Sequence, residues 1–158
     1  MTVKIRPMIK TDRPAVTSIL RDTPEFKPAE VVVAEEVIDS YLADPQGSGY
    51  NVLVAGDSAV DGYICYGPTP LTEGTWDIYW IAVSPPEKGM GVGSALLSYA
   101  EDKIKEAGGR LIVIETSSQA GYERTRRFYQ KHAYETIAQI TDFYAPGDDK
   151  IILQRRLA

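Results

Sequence analysis

The hydrophobic pattern is densest between Trp76 and Tyr99. Ile78-Tyr79-Trp80-Ile81-Ala82-Val83 is a run of aromatic and β-branched residues. It predicts a buried strand from Thr75 to Val83. Simple alternation sets Asp77, Tyr79 and Ile81 on one face, and Ile78, Trp80 and Ala82 on the other. Ser84-Pro85-Pro86-Glu87 stops the strand, because proline fixes φ and donates no ladder hydrogen bond. Lys88-Gly89-Met90-Gly91-Val92-Gly93 follows, with glycine at every second position. Ala95, Leu96, Leu97, Ala100 and Ile104 then recur at helical spacing. A helix is predicted from about Gly93 to Ala107, closed by Gly108-Gly109.

The flanking segments extend the picture. Val3–Met8 reads as a first strand. Thr11-Asp12 is a candidate N-cap, with Pro14 in the first turn and Ala15, Val16, Ile19 and Leu20 as a helix face. A break at Thr23–Pro28 leads to a helix from Glu30 to Leu42, with Val33, Val37, Ile38 and Tyr41/Leu42 inward. Tyr50–Ala55 and Ala59–Tyr66 read as an antiparallel hairpin around Gly56-Asp57-Ser58. Gly67–Gly74 is a loop dense in breakers. Arg110–Glu115 is a continuous apolar run ending in a carboxylate, hence a central strand covered on both faces. Tyr122–His132 is an amphipathic helix. Ala133–Phe143 and Lys150–Leu157 read as two last strands. The order is β-α-α-β-β-β-α-β-α-β-β. This is an α/β chain (α+β, with a mixed sheet), expected as a single domain over residues 1–158.

The strand, glycine-rich turn and helix suit an anion. Glycine lets backbone approach a ligand at positive φ, and the first helical turn offers free N–H groups aligned with the helix dipole. A P-loop needs a lysine before Ser or Thr at the helix start, and none stands beside Ser94. A dinucleotide fingerprint needs G-x-G-x-x-G, whereas here the glycines are 89, 91 and 93. Lys88–Gly93, after a strand ending Ile81-Ala82-Val83, resembles the acyl-CoA pyrophosphate loop of the GCN5-related N-acetyltransferase (GNAT) family. Thr125-Arg126-Arg127-Phe128-Tyr129-Gln130-Lys131-His132-Ala133-Tyr134 resembles that family's Phe-Tyr-x-Lys-x-Gly-Phe signature, with Ala133 where glycine is usual. The element order also agrees, over nearly the whole chain.

The resemblance implies the acyl-CoA N-acyltransferase fold and transfer of acetyl from acetyl-CoA to a primary amine. It implies backbone pairing of the pantetheine arm with Ile81, Ala82 and Val83. It implies pyrophosphate binding by Lys88, Gly89, Met90, Gly91, Val92, Gly93 and Ser94. Gln119 stands near a position where many members carry a CoA-contacting asparagine, and Tyr122 and Arg126 are expected to reach the cofactor. Arg127 is read as a solvated surface charge. Tyr129 is the expected general acid, since the signature tyrosine lies near the thioester sulfur.

Direct attack on a thioester needs the amine deprotonated and the leaving sulfur protonated. Glu115 is the expected base, because it emerges at the carboxyl end of a central strand, where ligands bind and carboxylates are partly desolvated. Ribosomal-protein and related GNAT members carry a glutamate there as base, often acting through water. Asp77 is the rival, and a solvent-facing position near its strand's start is the plainer reading of it. His132, the only histidine, is expected to meet the carbonyls at its helix end. Asp142–Lys150 joins acidic and aromatic residues, and its resemblance to a late hairpin walling the acceptor site would favour a cationic amine.

Composition narrows the rest. A net charge of −5 over 158 residues disfavours a nucleic-acid partner. The single Cys65 allows no internal disulfide and no cysteine zinc site, and it is expected as a core thiol. No metal site is expected. No apolar run approaches the ~20 residues of a membrane span, so the cytoplasm is the expected location. A protein N-terminal acetyltransferase is the alternative enzyme, and a non-catalytic CoA-binding sensor domain the alternative of another class. The family resemblance also allows a homodimer.

Overall fold

The computed structural model describes residues 2–157. In chain order the elements are β1 (Ile5–Pro7), α1 (Arg13–Arg21), α2 (Pro28–Ala43), β2 (Asn51–Ala55), β3 (Gly62–Pro68), β4 (Thr75–Val83), α3 (Val92–Glu106), β5 (Leu111–Ser117), α4 (Glu123–Lys131), β6 (Glu135–Ala145) and β7 (Asp148–Arg156). Their order is the one the hydrophobic pattern predicts. Short 3₁₀ turns occupy Lys10–Asp12, Pro85–Glu87 and Ala120–Tyr122. The strands form one sheet in the order β1-β2-β3-β4-β5-β7-β6. Only β4 and β5 run parallel, as a crossover through α3 requires.

Each sheet face carries its own core. Leu96, Leu97, Ala100 and Ile104 of α3 pack with Ile64, Ile78, Ile112 and Leu153, and Tyr129 of α4 joins them. On the other face Val16, Ile19 and Leu20 of α1, with Val31, Ala34 and Ile38 of α2, cover Val52, Val54 and Tyr63. Burying each such Leu, Ile or Val is worth about 1.5–3 kcal/mol. Cys65 is buried in this second core. In α2 the inward stripe is Val31-Ala34-Ile38-Tyr41, whereas Val33 is exposed. The expected inward Val33 is thus corrected: α2 starts two residues earlier, at Pro28, and its apolar residues outnumber the positions the sheet can cover.

The expected N-cap at Asp12 also differs. Its carboxylate caps no N–H of α1. It accepts two bonds from the Arg6 guanidinium, at 2.7 and 2.8 Å, and one from Ile9 N at 2.9 Å. This holds β1 against the start of α1. Arg6 keeps the Asp12 carboxyl below the usual carboxylate range, mainly by hydrogen bonding.

The main departure lies in β4. On β3, Cys65 faces Trp80 and its neighbour Tyr66 faces Ile78, so Tyr79 is an extra residue, a β-bulge. The bulge reverses the alternation. Trp76, Ile78, Ile81 and Val83 lie with the α3 core, and Tyr79, Trp80 and Ala82 with the α1–α2 core. Simple alternation therefore fails for Ile78 against Trp80, and for Tyr79 against Ile81. Beside the bulge the sheet divides. β4 pairs with β5 only from Thr75–Leu111 to Ile78–Ile114. Beyond that, β4 stays with β3 up to Val83, and β5 stays with β7 up to Ser117. A wedge-shaped gap opens between two strands that remain paired on their outer sides.

Candidate functional site

Two clefts meet at this gap. The smaller, about 520 Å³, runs from Ile81, Ala82 and Val83 to the turn after β4 and the start of α3. Glu87, Lys88, Gly89, Gly91, Val92, Gly93 and Ser94 line it. Gly89 and Gly91 both have φ near +83°, so each peptide turns in a way other residues resist. Gly91 caps α3, and the first backbone N–H groups of the helix have no intrahelical acceptor. Val92 is buried yet borders the cleft, while Met90 is exposed and lies outside the cleft lining.

The opposite wall is α4. Arg124, Arg127 and Lys131 recur at i, i+3 and i+7 and line the smaller cleft with Thr125, Phe128 and His132. Arg127, expected as a solvated charge, is indeed exposed and ion-paired to Glu123 at 2.8 Å, and it also lines this wall. Arg126 points elsewhere. Its guanidinium donates to Ser117 O at 2.7 Å and Gln119 O at 3.0 Å, fixing the chain between β5 and α4. His132 Nε2 lies 2.8 Å from Ser94 Oγ, and its ring packs edge-on to Phe128. It thus bonds a side chain across the cleft rather than its own helix end.

The larger cleft, about 1000 Å³, lies between the parted strands, the α1–α2 connection and the β6–β7 hairpin. Asp77, Tyr79, Trp80 and Ile81 enter it from β4, and Val113 to Ser117 from β5. Phe26, Glu30 and Val33 form a second side, and Tyr144, Ala145, Pro146 and Asp148 a third. Gln119 and Tyr122 lie here rather than in the smaller cleft. Gln119 Nε2 donates to Gly147 O at 2.8 Å, and Tyr122 OH donates to Glu30 Oε2 at 2.7 Å. Tyr122 belongs to the 3₁₀ turn before α4, not to the helix.

The candidate carboxylates differ in setting. Glu115 is exposed, with Oε2 3.0 Å from Lys150 Nζ, so the expected desolvation is replaced by an ion pair. Asp77 is half-buried within the cleft, not solvent-facing, and accepts from Thr69 Oγ1 at 2.7 Å and Tyr79 OH at 3.5 Å. Tyr129 lines both clefts, as does Ile81. Burial drives the Tyr129 phenol above its ordinary value, so it keeps its proton at neutral pH. The helix end beyond it keeps the turn that glycine normally makes. Ala133 takes φ 69°, and Tyr134 N reaches back to Tyr129 O at 3.1 Å.

Three features of the site had no clear local signal. The Ser94–His132 bond joins residues 38 apart. The Tyr122–Glu30 bond joins residues 92 apart. Asp148 reads locally as a turn residue, but it is buried and accepts from Ser117 Oγ at 2.5 Å. The i, i+3, i+7 cations of α4 were the one missed feature written in the spacing.

A family model described as acetyltransferase (GNAT) family matches residues 14–134. A crystal structure of a protein assigned to the GNAT acetyltransferase family, from Desulfovibrio desulfuricans, is 40% identical, with 99% of this chain and 100% of that one aligned and a TM-score of 0.95. The ribosomal-protein-S18-alanine N-acetyltransferase of Escherichia coli shares the fold at 18% identity, with a TM-score of 0.77 over 99% and 95% of the two chains. A Salmonella typhimurium protein solved with its cofactor acetyl-CoA does so at 21% identity, with a TM-score of 0.75 over 100% and 95%. No curated protein is similar enough in sequence to count as a match.

Proposed function

The chain belongs to the GNAT acetyltransferase family, and from that premise we propose that it moves the acetyl group of acetyl-CoA to a primary amine held in the larger cleft. One observation carries this reading: the strands part so that two clefts of different character meet beside Tyr129. The smaller cleft offers what a phosphate-bearing thioester needs. It has helix N–H groups, two glycines at positive φ, and the cations Lys88, Arg124, Arg127 and Lys131. Backbone groups of Ile81 and Val83 on the side facing the gap are free for the pantetheine arm. Gln119, Tyr122 and Arg126 are better read as builders of the acceptor side than as cofactor contacts.

In this reading Glu115 takes the proton of the incoming ammonium, directly or through water. The freed amine nitrogen attacks the thioester carbonyl carbon. The C–N bond forms, the C–S bond breaks, and the sulfur takes a proton from Tyr129, which solvent restores. Asp77 is less available as base, since Thr69 and Tyr79 already donate to it. Acetyl-CoA supplies the activated acyl group, and the chain supplies position, proton acceptor and proton donor.

The test is thermal unfolding with and without acetyl-CoA, in the parent and in Gly91→Glu. A ligand at ~100 times its dissociation constant adds about 2.7 kcal/mol to the folded state. The expected result is an upward shift that the variant loses, since its side chain strains a +83° φ and brings negative charge to the helix start. An unshifted parent overturns the acetyl-CoA reading.

A further inference from the structure

The larger cleft has an anionic side that acetyl transfer itself does not use. Five carboxylates line it, Glu25, Glu30, Asp77, Glu115 and Asp148, against one ammonium, Lys27. Glu115 already has Lys150, and Asp77 has Thr69. Asp148 is different. It is 5% exposed, yet among the described residues no cation lies within 4.0 Å of it. One of its oxygens accepts from Ser117 Oγ, and the other has no hydrogen-bond partner among the described residues. That second oxygen is not buried but open to the cleft, where a cationic ligand can meet it.

The surroundings fit one kind of partner. Glu30, Tyr122, Tyr144 and Asp148 all line this cleft, and the Tyr122 phenol is bonded to Glu30, so two carboxylates and two rings face the same space. Aromatic faces beside carboxylates favour an ammonium. The Tyr122–Glu30 bond closes the cleft across its far side, from the start of α2 to the turn before α4. A cleft of about 1000 Å³, bounded on this side, is of a size that holds a small molecule.

We infer that the acceptor is a small amine carrying a second ammonium group, which docks between Asp148 and Glu30 while the reacting amine faces Glu115. This rests on the acetyl-transfer reading and adds its substrate class. Asp148 is a specificity residue here, since it holds the end of the substrate that does not react.

The experiment compares initial rates with 1,4-diaminobutane, 1,5-diaminopentane, butylamine, 4-aminobutanoate and a short peptide with a free N-terminus. A charge-assisted hydrogen bond gained by the second ammonium raises kcat/KM for the diamines over butylamine by about 10- to 100-fold. Repulsion places 4-aminobutanoate last. Asp148→Asn brings the diamine-to-butylamine ratio toward one, mainly through KM. Glu30→Gln, in the first turn of α2 and half-buried, can keep the bond from Tyr122 while losing the charge; it lowers the same ratio and serves if the Asp148 variant does not fold. Equal rates for diamines and butylamine overturn the inference while leaving acetyl transfer intact. So does a ratio unchanged in both variants, or acetylation of the peptide alone. Loss of any acetyl-CoA effect on unfolding overturns the acetyl-transfer reading, and this one with it.

Discussion

Lys150 Nζ lies 3.0 Å from Glu115 Oε2 and 3.7 Å from the centre of the Phe143 ring. Two neighbouring strands, β5 and β7, thus fix the carboxylate that we propose as base. Glu115→Gln keeps the shape and removes the charge. It is expected to lower kcat by about 10²- to 10⁴-fold, while the stabilisation by acetyl-CoA persists, because Glu115 lies outside the smaller cleft. Steady-state kinetics beside thermal unfolding separates the two effects. An unchanged kcat would move the role to Asp77, to be checked with Asp77→Asn.

Ala133 occupies a left-handed conformation, φ 69°, at the end of α4. An L-residue there bears a steric cost of about 1–2 kcal/mol that glycine avoids. Part of this is offset by the greater freedom of glycine in the unfolded chain. Ala133→Gly is therefore expected to raise stability by about 0.5–1 kcal/mol, read from the urea midpoint. A fall in the midpoint would show that the methyl group packs to more effect than its strain.

Glu101 is a buried carboxylate held by Tyr134 OH at 2.8 Å and Arg155 Nη1 at 2.6 Å. It ties α3 to β7 and to the turn after α4. Arg155→Ala leaves a buried charge without its cation and is expected to cost about 3–5 kcal/mol. Glu101→Gln together with Arg155→Met removes both charges and is expected to cost much less. Urea unfolding of the single and double variants decides, through their departure from additivity.

Alkaline pH is expected to destabilise the fold. Burial raises Tyr66 and Tyr79 to about 12, and it pushes Tyr63, Tyr129 and Cys65 upward as well. Folded-state values above unfolded ones mean that the unfolded chain binds fewer protons once pH passes about 8.5 for cysteine and 10 for tyrosine. Stability from these groups is full below those values and is lost as pH rises toward the folded ones. Each group that titrates only when unfolded removes about 1.4 kcal/mol per pH unit. Urea midpoints at about pH 7.5, 9 and 10.5 should be level and then fall, and Tyr66→Phe should soften the fall.

The element order was legible because both kinds of signal agree along the chain. Alternating or continuous apolar runs mark strands, and Gly89, Gly91 and Gly108 stand where positive φ is needed. Tyr129 was legible from its neighbours in the sequence. The bulge at Tyr79 was not, because its cause is the register against β3 rather than anything within the run. It changed the faces of the half of the strand beyond Ile78. Arg126 and Arg127 show the same limit. Adjacent and chemically alike, they are sorted by helix phase, one toward the backbone of residues 117 and 119 and the other toward the smaller cleft. Asp148 needed Ser117, which the chain brings near only through the β5–β7 pairing.

The parting of β4 from β5 leaves one flank of Tyr79–Val83 without a neighbouring strand, although β3 still holds the other flank. Amide groups on that flank exchange with solvent unless something extended lies along them. A bound pantetheine arm would act as a missing rung of the ladder and slow their exchange selectively. Deuterium uptake in β4 would then report cofactor occupancy at residue resolution, with no need of turnover or of knowing the acceptor.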